Sequence, residues 1–360
     1  MNIVARVLAA AAIVCSLLAV AQEAPKYKPT EGNFLAHDFK FRSGEQMAEL
    51  RLHYRTLGQP ARDAAGHITN AVLLLHGTGG SGQQFLSPQF ADELFGPGQL
   101  LDLTHFFIIA PDGIGHGQSS KPSDGLHAHF PQYDYDDMVF AQHLLLTDGL
   151  GVQHLRLLFG TSMGCMHAFV WGETYPAFMD ALMPLACLPV QIAGRNRVFR
   201  KMLMDAIRAD PDWKYGEYKE EPKRALRTAQ SLLVIAGSAP ELMQKRLPTQ
   251  EAADKYAAES VESRLASLDA NDMLYYVNAS RNYDPSAHLE TITAPVMWIN
   301  SADDFINPPE LGIAEKESKR LKNGTFVLLP LSENTHGHST HTWAAAWKDY
   351  LKQLLSQTAH

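Results

Sequence analysis

Leu155-Arg156-Leu157-Leu158-Phe159-Gly160-Thr161-Ser162-Met163-Gly164-Cys165-Met166-His167-Ala168-Phe169-Val170-Trp171 carries the clearest structural instruction in the chain. An apolar run of strand length gives way to G-x-S-x-G, followed by a segment that reads as helix. The order strand, sharp turn, helix puts a serine at the apex of the turn, with its Oγ pushed clear of the backbone. Positions flanking so tight a turn must carry little or no side chain, which Gly160 and Gly164 supply. A helix starting directly after the serine points its first N–H groups at charge developing beside that hydroxyl. The pattern therefore predicts Ser162 as a nucleophile.

The surrounding chain bounds what such a nucleophile serves. With 360 residues, 46% of them hydrophobic, it can bury a large core, as one α/β domain with an insertion or as two domains. A net charge of −8 disfavours a nucleic-acid partner, which needs a basic face. Arg195, Arg197, Arg200 and Lys201 form the densest basic cluster and read as the solvated face of a helix. At the N-terminus, Arg6 precedes an apolar stretch over 7–20, and Ala19-Val20-Ala21 offers small residues for a signal peptidase. Residues 1–21 thus read as a signal peptide cleaved after Ala21, and the mature protein is expected to be periplasmic or secreted. The stretch is short for a membrane span of about 20 residues. Cys15 follows Val14 where a lipid-modified signal needs a small residue, so no stable membrane anchor is expected after cleavage. Cys165 and Cys187 then remain, expected as two buried thiols, with one bridge as the alternative.

Segments 39–41 and 50–54 alternate apolar and polar residues like half-buried antiparallel strands. Segments 71–75, 106–110, 155–159, 181–186, 296–299 and 326–329 are short, nearly continuous apolar runs, suited to strands buried on both faces of a parallel sheet. Helical stretches fall around Ala91 and over 135–149, 163–174, 309–321 and 340–357. The alternation predicts an α/β fold with a doubly wound, mostly parallel sheet. Residues 188–289 break the rhythm with helix-like segments and no convincing strand, too long for a plain loop. They read as a helical lid inserted after the sixth strand, over the serine, between core segments 22–187 and 290–360. With the serine turn at its centre, this organisation resembles the α/β-hydrolase fold.

A serine needs a base within hydrogen-bond reach, and the base needs an acid to fix its tautomer. In the fold resembled, acid and base follow the serine in that order, each after a late strand. After the 296–299 run comes Ser301-Ala302-Asp303-Asp304-Phe305-Ile306-Asn307-Pro308, and after 326–329 comes Ser332-Glu333-Asn334-Thr335-His336-Gly337-His338-Ser339. Asp303 and Asp304 compete for the acid; Asp304 is preferred because it stands four residues before Pro308. His338, preceded by a glycine, is preferred as base over His336 and His341. Those three histidines could also suggest a metal, but no acidic or thiolate ligand is evidently paired with them. Gly77-Thr78-Gly79-Gly80-Ser81-Gly82 matches the G-x-G-x-x-G dinucleotide pattern, yet it follows His76 and lacks an acidic residue at the expected distance. It reads instead as an oxyanion loop, with the backbone N–H groups of Thr78 and Met163 as the two donors. The turn from Asp112 to Ser119 reads as structural support for that side, and His116, His127, His129 and His167 as structural histidines. Met202 and Met204 read as lid packing.

Several of these segments resemble one family in particular, the homoserine O-acetyltransferases. Tyr135-Asp136-Asp137-Met138-Val139-Phe140-Ala141-Gln142 is similar to the family's R-D-M-V-x-x-Q segment. Gly160-Thr161-Ser162-Met163-Gly164-Cys165-Met166-His167-Ala168 is similar to its G-G-S-M-G-G-M-Q-A. Ala206-Ile207-Arg208-Ala209-Asp210-Pro211-Asp212-Trp213 resembles its lid helix. The resemblance runs from about residue 35 to the C-terminus and implies Ser162, Asp304 and His338 as a triad, plus a helical lid often used in homodimers. The chain departs from the family at Ser339, where an Asp usually follows the His, and at Met204, where an Arg commonly stands. The expected activity is cleavage of a carboxylic ester or related small acyl compound through an acyl-serine, without a cofactor. Acyl transfer of the homoserine O-acetyltransferase kind is the alternative, and a binding protein on an inactive scaffold a minor one.

Overall fold

The computed structural model describes residues 26–358, so the segment read as a signal peptide lies outside the described residues. Eight strands form one sheet in the order β1-β2-β4-β3-β5-β6-β7-β8. They are β1 Thr30–Lys40, β2 Gln46–Leu57, β3 Ala71–Leu75, β4 Phe107–Pro111, β5 Leu157–Thr161, β6 Leu182–Leu185, β7 Val296–Ser301 and β8 Gly324–Leu329. β1 pairs antiparallel with β2 and β2 with β4, while the pairs from β3 to β8 are parallel. The expected mostly parallel α/β sheet is therefore the one formed.

Burial explains which strands are apolar throughout. Every residue of β3 to β7 is buried, because helices cover both faces there, whereas β1 at the edge is mostly exposed and buries only Ala36 and Phe39. Helices α1 Pro88–Leu94, α2 Tyr135–Leu144 and α3 Met163–Thr174 belong to the core. α2 and α3 pack Met138, Phe169 and Trp171 onto one face of the sheet. α1 and the C-terminal helix pack Phe90 and Leu351 onto the other, together with Trp347. Burying each such side chain contributes about 1.5–3 kcal/mol.

Between β6 and β7 the chain forms α4 Gly194–Arg208, α5 Lys223–Ala236, α6 Pro240–Arg246, α7 Gln250–Leu265 and α8 Ala270–Asn278. These helices share a small core of their own, in which Leu203, Met204 and Ile207 of α4 meet Leu226 of α5 and Met273 of α8. Met204 packs as expected, but Met202 is exposed, because the inward stripe of α4 falls on 200, 203, 204 and 207.

Two expected helices are interrupted. The 309–321 stretch contains only α9 Ile313–Glu317 flanked by 3-10 turns, since Gly312 takes a φ of 62° and breaks the run. The 340–357 stretch opens with two 3-10 turns around Trp343 and becomes regular only in α10 Lys348–Gln357.

Candidate active site

Ser162 sits between the end of β5 and the first residue of α3, with φ 53° and ψ −107°, a strained conformation for a residue with a side chain. Its neighbours explain both glycines. A Cβ on Gly160 would lie 2.0 Å from the Gly164 carbonyl oxygen, and one on Gly164 would lie 2.0 Å from that of Leu75. The Ser162 amide donates to Leu185 O at 2.8 Å and the Gly164 amide to His76 O at 3.0 Å, which ties the turn to β6 and β3. Adjacent strands thus hold the strain in place.

The structure brings Ser162, His338 and Asp304 together. Ser162 Oγ lies 2.8 Å from His338 Nε2, and His338 Nδ1 lies 2.9 Å from Asp304 Oδ2. Asp304 also accepts from the Ile306 amide at 2.7 Å and from Asn307 Nδ2 at 3.0 Å. Burial works to raise the Asp304 carboxyl, but the facing His338 and the Asn307 donors outweigh it and hold it below the usual carboxylate range. Asp303 points elsewhere, accepting from the Gly337 amide at 2.9 Å and from the Ser301 hydroxyl. His336 stacks on Trp343 with ring centroids 3.9 Å apart. His341 is buried edge-on to His338, and that burial pushes its pKa down to about 3.

The loop after β3 closes on the serine, since a Cβ on Gly77 would lie 3.4 Å from Ser162 Cβ. Neither the Thr78 nor the Met163 amide has a protein acceptor among the described residues, which leaves both free to meet a substrate oxygen. His76 fixes the loop's start, donating from Nδ1 to Gly77 O at 2.8 Å and accepting from the Gly113 amide at Nε2 at 2.9 Å. Asp112 accepts from the amides of Gly82 and Gln118 and from Arg55 Nη1, so its turn supports this side of the site as expected. His116 packs between His76 and Tyr276. Sequence reasoning misses Gln84. Its Oε1 accepts from the Gly77 amide at 3.3 Å and its Nε2 donates to Thr161 Oγ1 at 2.7 Å, linking the loop to the residue before Ser162.

Two expectations need correction. Arg200 is not on a solvated face: it is 4% exposed and lines a cavity of about 560 Å³ that also contains Ser162, His338 and Ser339. Its guanidinium donates to Asn196 Oδ1, Ser280 Oγ and Val277 O, all neutral. Helical spacing puts Arg200 on the same stripe as Leu203, Met204 and Ile207, a signal that the count of basic residues hides. Beside it stands the buried Tyr135 hydroxyl. The second correction is that Cys165 and Cys187 are bridged, with Cα atoms 5.8 Å apart. Cys165 lies in the first turn of α3 and Cys187 just beyond β6, and the parallel pairing of β5 with β6 brings these two ends together.

Comparison with known proteins bears on the fold and the family. Residues 70–345 match the family described as alpha/beta hydrolase fold. A probable acyltransferase of Methanothermobacter thermautotrophicus is 32% identical over 279 residues, covering 77% of this chain and 84% of its own. A homoserine O-acetyltransferase of Moorella thermoacetica is 32% identical over 365 residues, covering 88% of this chain and 94% of its own. Among solved structures, an acetylester hydrolase from Corynebacterium glutamicum superposes with a TM-score of 0.79 at 21% identity, over 91% of this chain and 96% of that one. With its elbow serine, its sheet order and these relatives, the chain belongs to the α/β-hydrolase family, among proteins of the homoserine O-acetyltransferase type.

Proposed function

We propose that the protein is an exported serine hydrolase that cleaves carboxylic esters through an acyl-serine intermediate. The observation that carries this reading is the unbroken hydrogen-bonded chain from Ser162 through His338 to Asp304 at the wall of a cavity. His338 Nε2 takes the proton as Ser162 Oγ attacks the ester carbonyl, and Asp304 orients the resulting imidazolium. The Thr78 and Met163 amides stabilise the oxyanion. Collapse expels the alcohol, protonated by His338, and water activated by the same imidazole releases the acid. Export is supported by the N-terminal segment and by the Cys165–Cys187 bridge, since such bridges persist in oxidising compartments.

A specific observation favours a second reading, acyl transfer to a carboxylate-bearing alcohol. Among the described residues Arg200 is a buried cation with only neutral partners, in the same cavity as Ser162, and such a group is best satisfied by an anion. The relatives described as homoserine O-acetyltransferases point the same way. Incubation with p-nitrophenyl esters, and separately with acetyl-CoA plus homoserine, distinguishes the two. Ester hydrolysis that vanishes in Ser162→Ala is the expected result; rapid CoA-dependent acetylation with negligible hydrolysis would establish the second reading instead.

A further inference from the structure

Two cavities flank the triad, and they differ in character. The one containing Ser162 is mixed, with Arg200, Gln230, Arg264 and Ser339 in its walls beside Phe199, Leu233 and Val277. The other, of about 640 Å³, is mainly apolar, walled by Met166, Leu188, Val190, Ile192 and Ile313. It lies between the acid loop and the segment leading into the lid. Among the described residues, Ile306 is the one that borders both.

Ile306 is held as a wall. Its amide donates to Asp304 Oδ1 at 2.7 Å, and the next residue, Asn307, donates from its side chain to Ala186 O at 3.0 Å. The backbone at this position is therefore fixed by the same contacts that hold Asp304, and a β-branched side chain has little χ1 freedom. A short apolar group on the substrate finds both polar and apolar walls in the cavity around Ser162. The more uniformly apolar volume, suited to a run of methylenes, lies behind Ile306.

We propose that Ile306 is a specificity-determining residue, which shuts the apolar cavity off from Ser162 and restricts the enzyme to esters with short apolar groups. This inference rests on the ester-hydrolase reading of the site. Truncating Ile306 merges the two cavities and admits a longer chain. A methylene accommodated in an apolar pocket is worth on the order of tenfold in kcat/KM.

The test measures kcat/KM for acetyl, butyryl and octanoyl p-nitrophenyl esters and for ethyl and octyl acetate, so that both sides of the ester are sampled. Wild type, Ile306→Ala and the double variant Ile306→Ala with Ala193→Trp are compared. Ala193 lines only the apolar cavity and is exposed at the start of α4, so the tryptophan refills that volume away from Ser162. Wild type is expected to prefer the short esters. In Ile306→Ala the long-to-short ratio rises at least about tenfold in one of the two series, and the added tryptophan returns it toward wild type. The ratio is unaffected by partial loss of folded enzyme. An unchanged ratio in both series, a gain that Ala193→Trp does not reverse, or a wild type that already prefers octanoyl or octyl esters overturns the inference. A wild type that hydrolyses none of the esters overturns the ester-hydrolase reading instead.

Discussion

Asp304 Oδ2 stands 2.9 Å from His338 Nδ1, while the carboxylate of Asp303, one residue earlier, is turned to the Gly337 amide. The two acids therefore have separable roles. Asp304→Asn replaces the acceptor facing His338 with an amide, so the imidazole loses the tautomer that presents Nε2 to Ser162. The expected loss in kcat on p-nitrophenyl acetate is about 10³–10⁴-fold. Asp303→Asn disturbs only the loop that carries His338, and its loss is expected to stay below roughly tenfold, because the triad itself is intact. Equal losses in the two variants would refute this division of labour.

The Cys165–Cys187 bridge closes a loop whose ends are 22 residues apart in sequence and starts three residues beyond Ser162. By the chain-entropy account, such a loop contributes about 3 kcal/mol to stability. Guanidinium unfolding of oxidised and reduced protein, and of the double Cys→Ser variant, measures it. The reduced and variant proteins are expected to unfold at lower denaturant, with m-values equal to or somewhat above that of the oxidised protein, because the uncrosslinked chain unfolds to a more expanded state. A coincident midpoint would show that the sheet alone holds α3 against the end of β6.

These two sites show what in the sequence is legible and why. Strands β3 to β7 can be read because burial on both faces demands an unbroken apolar run, and Ser162 and Asp304 each follow one of them. The bridge cannot be read, because the approach of Cys165 to Cys187 depends on which strand lies next to β5. Arg200 is hidden differently: its charge suggests solvent, whereas its position one turn before Met204 places it on the buried stripe. The 309–321 stretch reads as one helix on composition, and the positive φ at Gly312, a tertiary choice, divides it. Local pattern locates chemistry well where the backbone is regular and poorly where neighbours decide.

Arg200 supplies the third expectation. Its guanidinium is buried beside the serine and has no charged partner among the described residues, so an anionic group on the substrate is the complement it favours. Arg200→Gln keeps hydrogen bonds to Asn196 and Ser280 within reach while removing the charge. For esters matched in size, one bearing a carboxylate and one neutral, the ratio of their kcat/KM values is expected to fall by about 10–100-fold, mostly through KM. If the ratio stays constant, the arginine serves the packing of the inserted helices and not recognition.

Glu173, in the last turn of α3, provides a pH signature independent of the site. Burial, with the nearby Asp136 and Asp284, raises its carboxyl to about 7, and its Oε2 has no hydrogen-bond partner among the described residues. The folded state therefore binds a proton that the unfolded chain has already released between the ordinary glutamate pKa and about 7. Stability falls as pH rises through that window, and the penalty is complete above it. Glu173→Gln removes the titration while keeping the shape. Near pH 5, at the bottom of that window, the variant is expected to melt only slightly above wild type, because most of the penalty develops at higher pH. At pH 8 it should melt higher, by about 2–4 °C after solvent screening of this half-buried group. Thermal melts of both proteins at the two pH values decide the matter: an equal difference at each would mean that Glu173 stays ionised throughout, satisfied by solvent despite its setting.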